Sequence, residues 1–379
     1  MTYLDHNAIT PMRPEALEAV RAALPVYGNP SSVHAAGRAA RDLLDQARER
    51  VARALSARPA EVVFTAGATE SAALAIRGAL AAAPPGRSEL VVTAVEHPCV
   101  HDLARLLAAG GTAVHAVPVD REGRLDLDRL RAVVSDRTAL VCAMLANNET
   151  GVLFPVGEVA AAARQHGALY FCDAVQAVGK LPLDLRTLGA DMVALSGQKL
   201  GGPRGAGALL VRDGVRLSPL LGGHQERGRR SGTENLPGIA GLGAAIEAAT
   251  ARRDEEMARV GALRDRLQAG LLAAVPGARV NGAGSPRLPT TLSITFPGAD
   301  GEALLMALDL EGVCASAGAA CTSGSTRPSH VLSAMGLTVD EARATLRLSL
   351  GWCSAAEDVD RALALLPPLV ERVRRAIGA

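Results

Sequence analysis

The chain has 379 residues, more than the roughly 250–300 at which a single hydrophobic core stops growing, so one large domain and a smaller one are expected. Its 49% hydrophobic and 21% charged content excludes a disordered chain. A net charge of +1 and an aromatic fraction of 2% leave no footprint for nucleic acid or an anionic membrane, and no base-stacking platform.

From the N-terminus, MTYLDHNAITP carries Asp5 and Pro11 and no continuous apolar stretch, so it does not read as a secretory signal. No run of about 20 apolar residues follows that would span a bilayer. The expectation is a cytoplasmic protein. Leu44, Ala47, Val51 and Leu55 recur at helical spacing. Short β-branched runs at 61–65, 90–95, 113–119, 139–145, 169–172, 192–195 and 208–211 then alternate with helical patterns. That rhythm predicts an α/β fold, a mostly parallel sheet sandwiched by helices, with ligands beyond the carboxyl ends of its strands. Residues 233–274 read as helical with a charged middle, bridging two bodies. After Pro276 a strand at 291–296, a helix at 300–310, small residues at 314–325, a strand at 345–350 and a last helix predict a smaller α+β domain. The expected division is 12–250 for the large domain, and 1–11 plus 251–379 for the small one.

The six cysteines are scattered without CxxC spacing, which does not suit a disulfide framework or a resident metal site. Cys99, Cys142 and Cys172 lie in or beside strand patterns and read as buried, inert thiols. After the strand at 61–65, Gly67-Ala68-Thr69-Glu70-Ser71 opens a helix, and free N–H groups at a helix N-terminus make an anion site. An ordinary cap with a capping-type glutamate is the bland alternative. The commoner phosphate loops are missing: Gly179-Lys180 lacks a following Ser or Thr, and no GxGxxG joins a strand to a helix. Polar sets follow three further strands: Asn147-Asn148-Glu149, Asp173-Ala174-Val175-Gln176 and Ser196-Gly197-Gln198-Lys199. One such set is usually a turn. Three at equivalent strand ends, beside a phosphate-type turn, suggest a site.

A lysine past a strand, a carboxylate for a pyridinium nitrogen and a helix N-terminus for phosphate are what pyridoxal 5'-phosphate requires. The chain has only two lysines among 40 basic residues. Lys180 precedes Leu181-Pro182 and reads as a surface connector, which leaves Lys199.

At this point the motifs carry a family resemblance. Tyr3-Leu4-Asp5, residues 27–34 (YGNPSSVH), Thr65 to Ser71, Glu96-His97-Pro98, Asn147 to Gly151, Asp173 to Gln176, residues 230–235 (RSGTEN), residues 319–323 (AACTS) and residues 346–351 (LRLSLG) resemble the cysteine desulfurases in order, nearly end to end. These belong to the class V aminotransferase group of fold-type I pyridoxal phosphate enzymes. The resemblance implies a homodimer, L-cysteine as substrate and a sulfur-acceptor protein such as an iron–sulfur scaffold. It implies Lys199 as the Schiff-base lysine, Asp173 as the pyridinium partner, and Gln176 and Asn148 as partners of the ring hydroxyl. Ala68, Thr69 and Ser196 would form the phosphate cup, and Thr233 would reach the partner subunit's phosphate. His97 would stack on the ring for proton transfer, and Arg347 would grip the substrate carboxylate, where a bidentate fork fits. Cys321, in a segment of small residues, resembles the catalytic nucleophile; whether it transiently ligates a cluster stays open. Ser329-His330-Val331-Leu332 matches the longer-loop desulfurases, which commonly serve iron–sulfur assembly. Departures are Gln198 where histidine is usual, Ala8-Ile9-Thr10 with one hydroxyl fewer, and His224 where glycine is common. The competing readings are a selenocysteine or cystine lyase, which needs no Cys321, a small aminotransferase of the same group, and a non-catalytic scaffold.

Overall fold

The structure, a computed structural model, describes residues 1–317 and 328–378. Its strands are β1 (Thr2–Tyr3), β2 (Val62–Thr65), β3 (Glu89–Thr93), β4 (Val114–Val117), β5 (Thr138–Cys142), β6 (Leu169–Asp173), β7 (Met192–Ser196), β8 (Gly207–Val211), β9 (Arg279–Val280), β10 (Thr291–Thr295), β11 (Val313–Cys314), β12 (Ser316–Ala317) and β13 (Thr345–Ser349). Seven of them form one sheet in the order β2-β8-β7-β6-β5-β3-β4. Strands β3 to β7 run parallel, and β8 alone opposes its neighbours.

The sheet is buried on both faces, and the alternation shows how. Phe64, Val91, Val141, Tyr170, Cys172 and Val193 point into one core, while Val63, Leu90, Leu140, Phe171 and Met192 point into the other. The helices Ala35–Ala54 and Leu236–Ala251 belong to the first core, and Ala68–Ala82 and Pro98–Ala109 to the second. The predicted stripe is real: Leu44, Ala47, Val51 and Leu55 are all buried. At about 1.5–3 kcal/mol for each large side chain, such stripes hold the helices on the sheet. Gly243 lets Leu236–Ala251 approach closely, since a Cβ there would lie 3.0 Å from the Ala47 Cα.

The region read as one helix over 233–274 is two, Leu236–Ala251 and Arg253–Ala274, broken at Arg252 (φ −107°, ψ 6°). The second helix carries Glu256 back onto Arg13, with buried contacts of 2.5 and 2.8 Å. It then leads into a separate core around Leu4, Val260, Leu267, Ile294, Phe296, Leu346, Leu348 and Leu366. That core lies against an antiparallel sheet of order β12-β13-β10-β9 and the parallel pair β1-β11. Val331 and Leu332 pack instead with the large sheet's core. The fold is thus α/β, a mostly parallel sheet between helices, with a smaller α+β body.

The segment after β1 joins the two bodies. Leu4 and Asp5 bridge to Ser349, and Thr10 donates its N–H to the Gln198 carbonyl at 3.0 Å. The chain therefore runs from the small sheet to the carboxyl end of β7, across the mouth of the large sheet.

Candidate active site

Five strand ends meet at this mouth. After β2 the chain turns through Gly67, at φ 153°, into the helix Ala68–Ala82. A Cβ on the facing Gly207 would come within 2.7 Å of the Gly67 Cα, so the turn packs flat against β8. The first-turn N–H groups lack intrahelical acceptors and could bind an anion with the helix dipole behind them. Glu70 is held aside: it accepts from the Ala66 N–H at 2.7 Å and pairs with Arg230 Nε at 2.7 Å. The glutamate's contacts thus leave the first-turn N–H groups open to an anion.

Asp173 ends β6, is buried, and accepts from the Val175 N–H at 3.0 Å. Burial pushes its carboxyl up to about 6, against the pull of that N–H and of the Lys199 charge. A cation placed against it would favour the carboxylate. His97 caps the helix Pro98–Ala109, its Nδ1 accepting from the Cys99 N–H at 3.2 Å. Burial, followed by the charge of Lys199, lowers its imidazole to about 4. With Nδ1 an acceptor, the neutral ring carries its proton on Nε2.

Lys199 follows β7 in a short 3-10 turn and rests its Nζ on the carbonyls of Asn7 at 2.7 Å and Ala8 at 2.5 Å. Arg347, on β13, arrives from the small body. Its Nη2 pairs with Asp5 at 2.9 Å, its Nη1 donates to the Asn148 carbonyl at 3.1 Å, and the side chain is 3% exposed. Two polar atoms of these groups, Arg347 Nε and Asn148 Oδ1, are buried without a hydrogen-bond partner among the described residues.

Ala68, Thr69, His97, Asn148, Asp173, Gln176, Ser196, Gln198, Lys199 and Arg347 all line one cavity of about 700 Å³. The volume suits a cofactor with a small substrate. The donor set fits pyridoxal 5'-phosphate at each end: a helix N-terminus with Thr69 and Ser196 for a phosphate, Asp173 for a protonated ring nitrogen and Lys199 for the aldehyde. Thr233 is exposed and does not line the cavity. Cys321 lies outside the described residues.

Two readings are corrected. Lys180 is no surface connector: it is half-buried and donates to Gln176 Oε1 at 2.9 Å. The N-terminal segment packs on the 174–180 turn: Gln176 Nε2 donates to the Asn7 carbonyl at 3.0 Å, and His6 and Thr10 share a small cavity with Lys180. Cys99 is not an inert core thiol but a half-buried residue of the cavity wall, its Sγ 3.1 Å from His97 Nδ1. Pro98 at the first helical position fixes that placement, and the His-Pro-Cys order was the available signal. Cys142 and Cys172 are fully buried, and burial raises both thiols. The sequence reading also missed Asn7, whose carbonyl holds both Lys199 and Gln176, and Asp5, the partner of Arg347.

The class-V aminotransferase family matches residues 2–362. A cysteine desulfurase of Trichormus azollae is 47% identical over 98% of this chain and 93% of its own. The cysteine desulfurase NifS of Azotobacter vinelandii is 46% identical over the same shares. A solved NifS-like protein superposes with a TM-score of 0.90 at 35% identity, covering 98% of this chain and 99% of its own. The chain belongs to the class-V aminotransferases and, within them, to the pyridoxal phosphate-dependent cysteine desulfurase family.

Proposed function

We propose that the protein is a cysteine desulfurase that converts L-cysteine to L-alanine, leaves the sulfur on Cys321 as a persulfide and supplies it to iron–sulfur cluster assembly. The observation that carries this reading is the joining of Lys199, Asp173 and the Ala68–Ala82 N-terminus in one cavity with Arg347 on its wall. Bound pyridoxal phosphate supplies an electron sink that labilises bonds at the substrate α-carbon. Asp173 would keep the ring nitrogen charged, and Gln176 and Asn148 would hold the ring hydroxyl. Lys199 Nζ takes the α-proton, and Arg347 holds the carboxylate. His97, a neutral imidazole, would stack on the ring and accept or relay a proton during proton transfer. The Cys321 thiolate attacks the substrate sulfur: an S–S bond forms, the Cβ–S bond breaks, and the carbon fragment takes up protons and leaves as alanine. A second copy of the chain would bring its exposed Thr233 to the phosphate end, and a sulfur-acceptor protein would collect the persulfide. No helix among the described residues is long and apolar enough to cross a membrane, in keeping with a cytoplasmic enzyme.

Cys321→Ser tests the reading against a lyase. Serine's hydroxyl stays protonated at neutral pH and is a poor nucleophile towards sulfur, whereas a thiol of pKa about 8.5 is partly ionised. The variant should bind pyridoxal phosphate and respond spectrally to L-cysteine, yet form no protein persulfide and almost no alanine. Near-wild-type alanine production would replace the desulfurase with a lyase that expels sulfide directly.

A further inference from the structure

The second lysine of the chain has no part in the chemistry described above, yet it lies half-buried behind the cavity wall, against Gln176. It lines a separate cavity of about 30 Å³, together with Lys199, His6 and Thr10, and not the large one. Lys199 borders both cavities. The hydrogen bonds between them form one chain. Lys180 Nζ donates to Gln176 Oε1 at 2.9 Å, Gln176 Nε2 donates to the Asn7 carbonyl at 3.0 Å, and Lys199 Nζ donates to the same carbonyl at 2.7 Å.

That chain has a direction. A lysine has only donors and a backbone carbonyl only accepts, so the amide between them has one satisfied orientation: oxygen towards Lys180, nitrogen towards Asn7. The amide nitrogen has two hydrogens, and the Asn7 carbonyl takes one. Gln176 lines the large cavity, so the second N–H is what it can present to a ligand oxygen there. Reversed, the amide would set its oxygen against the Asn7 carbonyl and its nitrogen against the lysine.

We propose that Lys180 is a positioning residue that locks the Gln176 amide with its nitrogen towards the cavity, so that Gln176 donates to the phenolic oxygen of the cofactor. This rests on the pyridoxal phosphate reading given above. Burial, then the charges of Lys199 and Arg347, lower the Lys180 ammonium to about 7. Either protonation state keeps an N–H for Gln176, so the lock does not depend on the charge.

The test is a binding and spectral double-mutant cycle on the full chain, with pyridoxal 5'-phosphate as the probe. Lys180→Met should weaken cofactor binding about tenfold, the worth of one hydrogen bond with a buried orphan left behind. It should also move the visible band in the direction that Gln176→Leu moves it. In the Gln176→Leu background, Lys180→Met should change binding by less than about twofold, because the group it acts through is gone. Lys180→Arg should recover most of the band position. Wild-type affinity and spectrum in Lys180→Met, or an undiminished tenfold loss in the Gln176→Leu background, would overturn the proposal. If Lys180→Met does not fold, Lys180→Arg decides: a band at the wild-type position supports the lock, and one at the Gln176→Leu position overturns it. A wild-type chain that binds no pyridoxal phosphate would overturn the parent reading as well, whereas the other failures leave that reading intact.

Discussion

Arg347→Lys separates charge from geometry at the substrate end of the cavity. The guanidinium has five N–H donors; one is spent on Asp5 at 2.9 Å and one on the Asn148 carbonyl at 3.1 Å. The rest remain for a carboxylate, and a planar fork can give two parallel bonds where an ammonium gives one. Lysine keeps a positive charge beside Asp5, so the ion pair survives and the loss is confined to the fork. One charge-assisted bond is worth about 1.5–3 kcal/mol, and each 1.4 kcal/mol is tenfold, so kcat/KM for L-cysteine should fall about 10- to 100-fold. The loss should fall mainly on KM, because the carboxylate is held alike before and during the reaction. The assay is alanine release over a range of L-cysteine concentrations, alongside a pyridoxal phosphate titration that should be unchanged within about twofold. Cysteamine, which has no carboxylate, gives the control: whatever slow turnover it shows should be indifferent to the substitution. A KM for L-cysteine within about twofold of wild type would refute the assignment, and so would an equal loss with cysteamine.

Two further outcomes are expected. Lys199→Ala should remove the yellow, borohydride-reducible species, because Lys180 does not line the cavity and its nitrogen is engaged by Gln176; retention of the band in the purified variant would transfer the cofactor to another residue. Mixing Lys199→Ala chains with Thr233→Ala chains should restore activity to roughly that of one sound site, since a heterodimer carries both lesions in one site and neither in the other; mixed dimers that form but stay inactive would cancel the role of Thr233 across subunits.

The strands were legible because a sheet covered on both faces needs continuous apolar runs. From Val62 to Val211 the runs fall within a few residues of where they were expected. The cavity lining was legible where a polar residue ends or follows a strand, as at Asp173 and Lys199. It was not legible where burial comes from far away. Gly179-Lys180-Leu181-Pro182 has the composition of an exposed connector, and the N-terminal segment, about 170 positions earlier, packs beside it and leaves Lys180 half-buried. Asp5 and Arg347 are 342 positions apart, beyond any periodicity. The break at Arg252 was hidden differently. A run of Arg, Asp and Glu is good helix material on either side, and no Gly or Pro marks the break, which lies four residues before the buried Arg13–Glu256 pair.

The N-terminal segment therefore has more to do than its single short strand suggests. Asp5 holds Arg347, the Asn7 carbonyl holds Lys199 and Gln176, the Ala8 carbonyl holds Lys199 again, and the Thr10 N–H holds the backbone of Gln198. Arg347 and Lys199, from different bodies of the fold, are thus referred to the same few peptide units. Two carbonyls at 2.7 and 2.5 Å form a cradle for an ammonium, and they lose their best donor whenever the Lys199 nitrogen is engaged elsewhere. Gln176, already 3.0 Å from the Asn7 carbonyl, remains to satisfy that oxygen, so the carbonyl is not left orphaned as the lysine leaves. The segment thus ties the Arg347 guanidinium and the Lys199 ammonium to one short stretch of backbone. That coupling makes the small body part of the active site rather than a cap upon it.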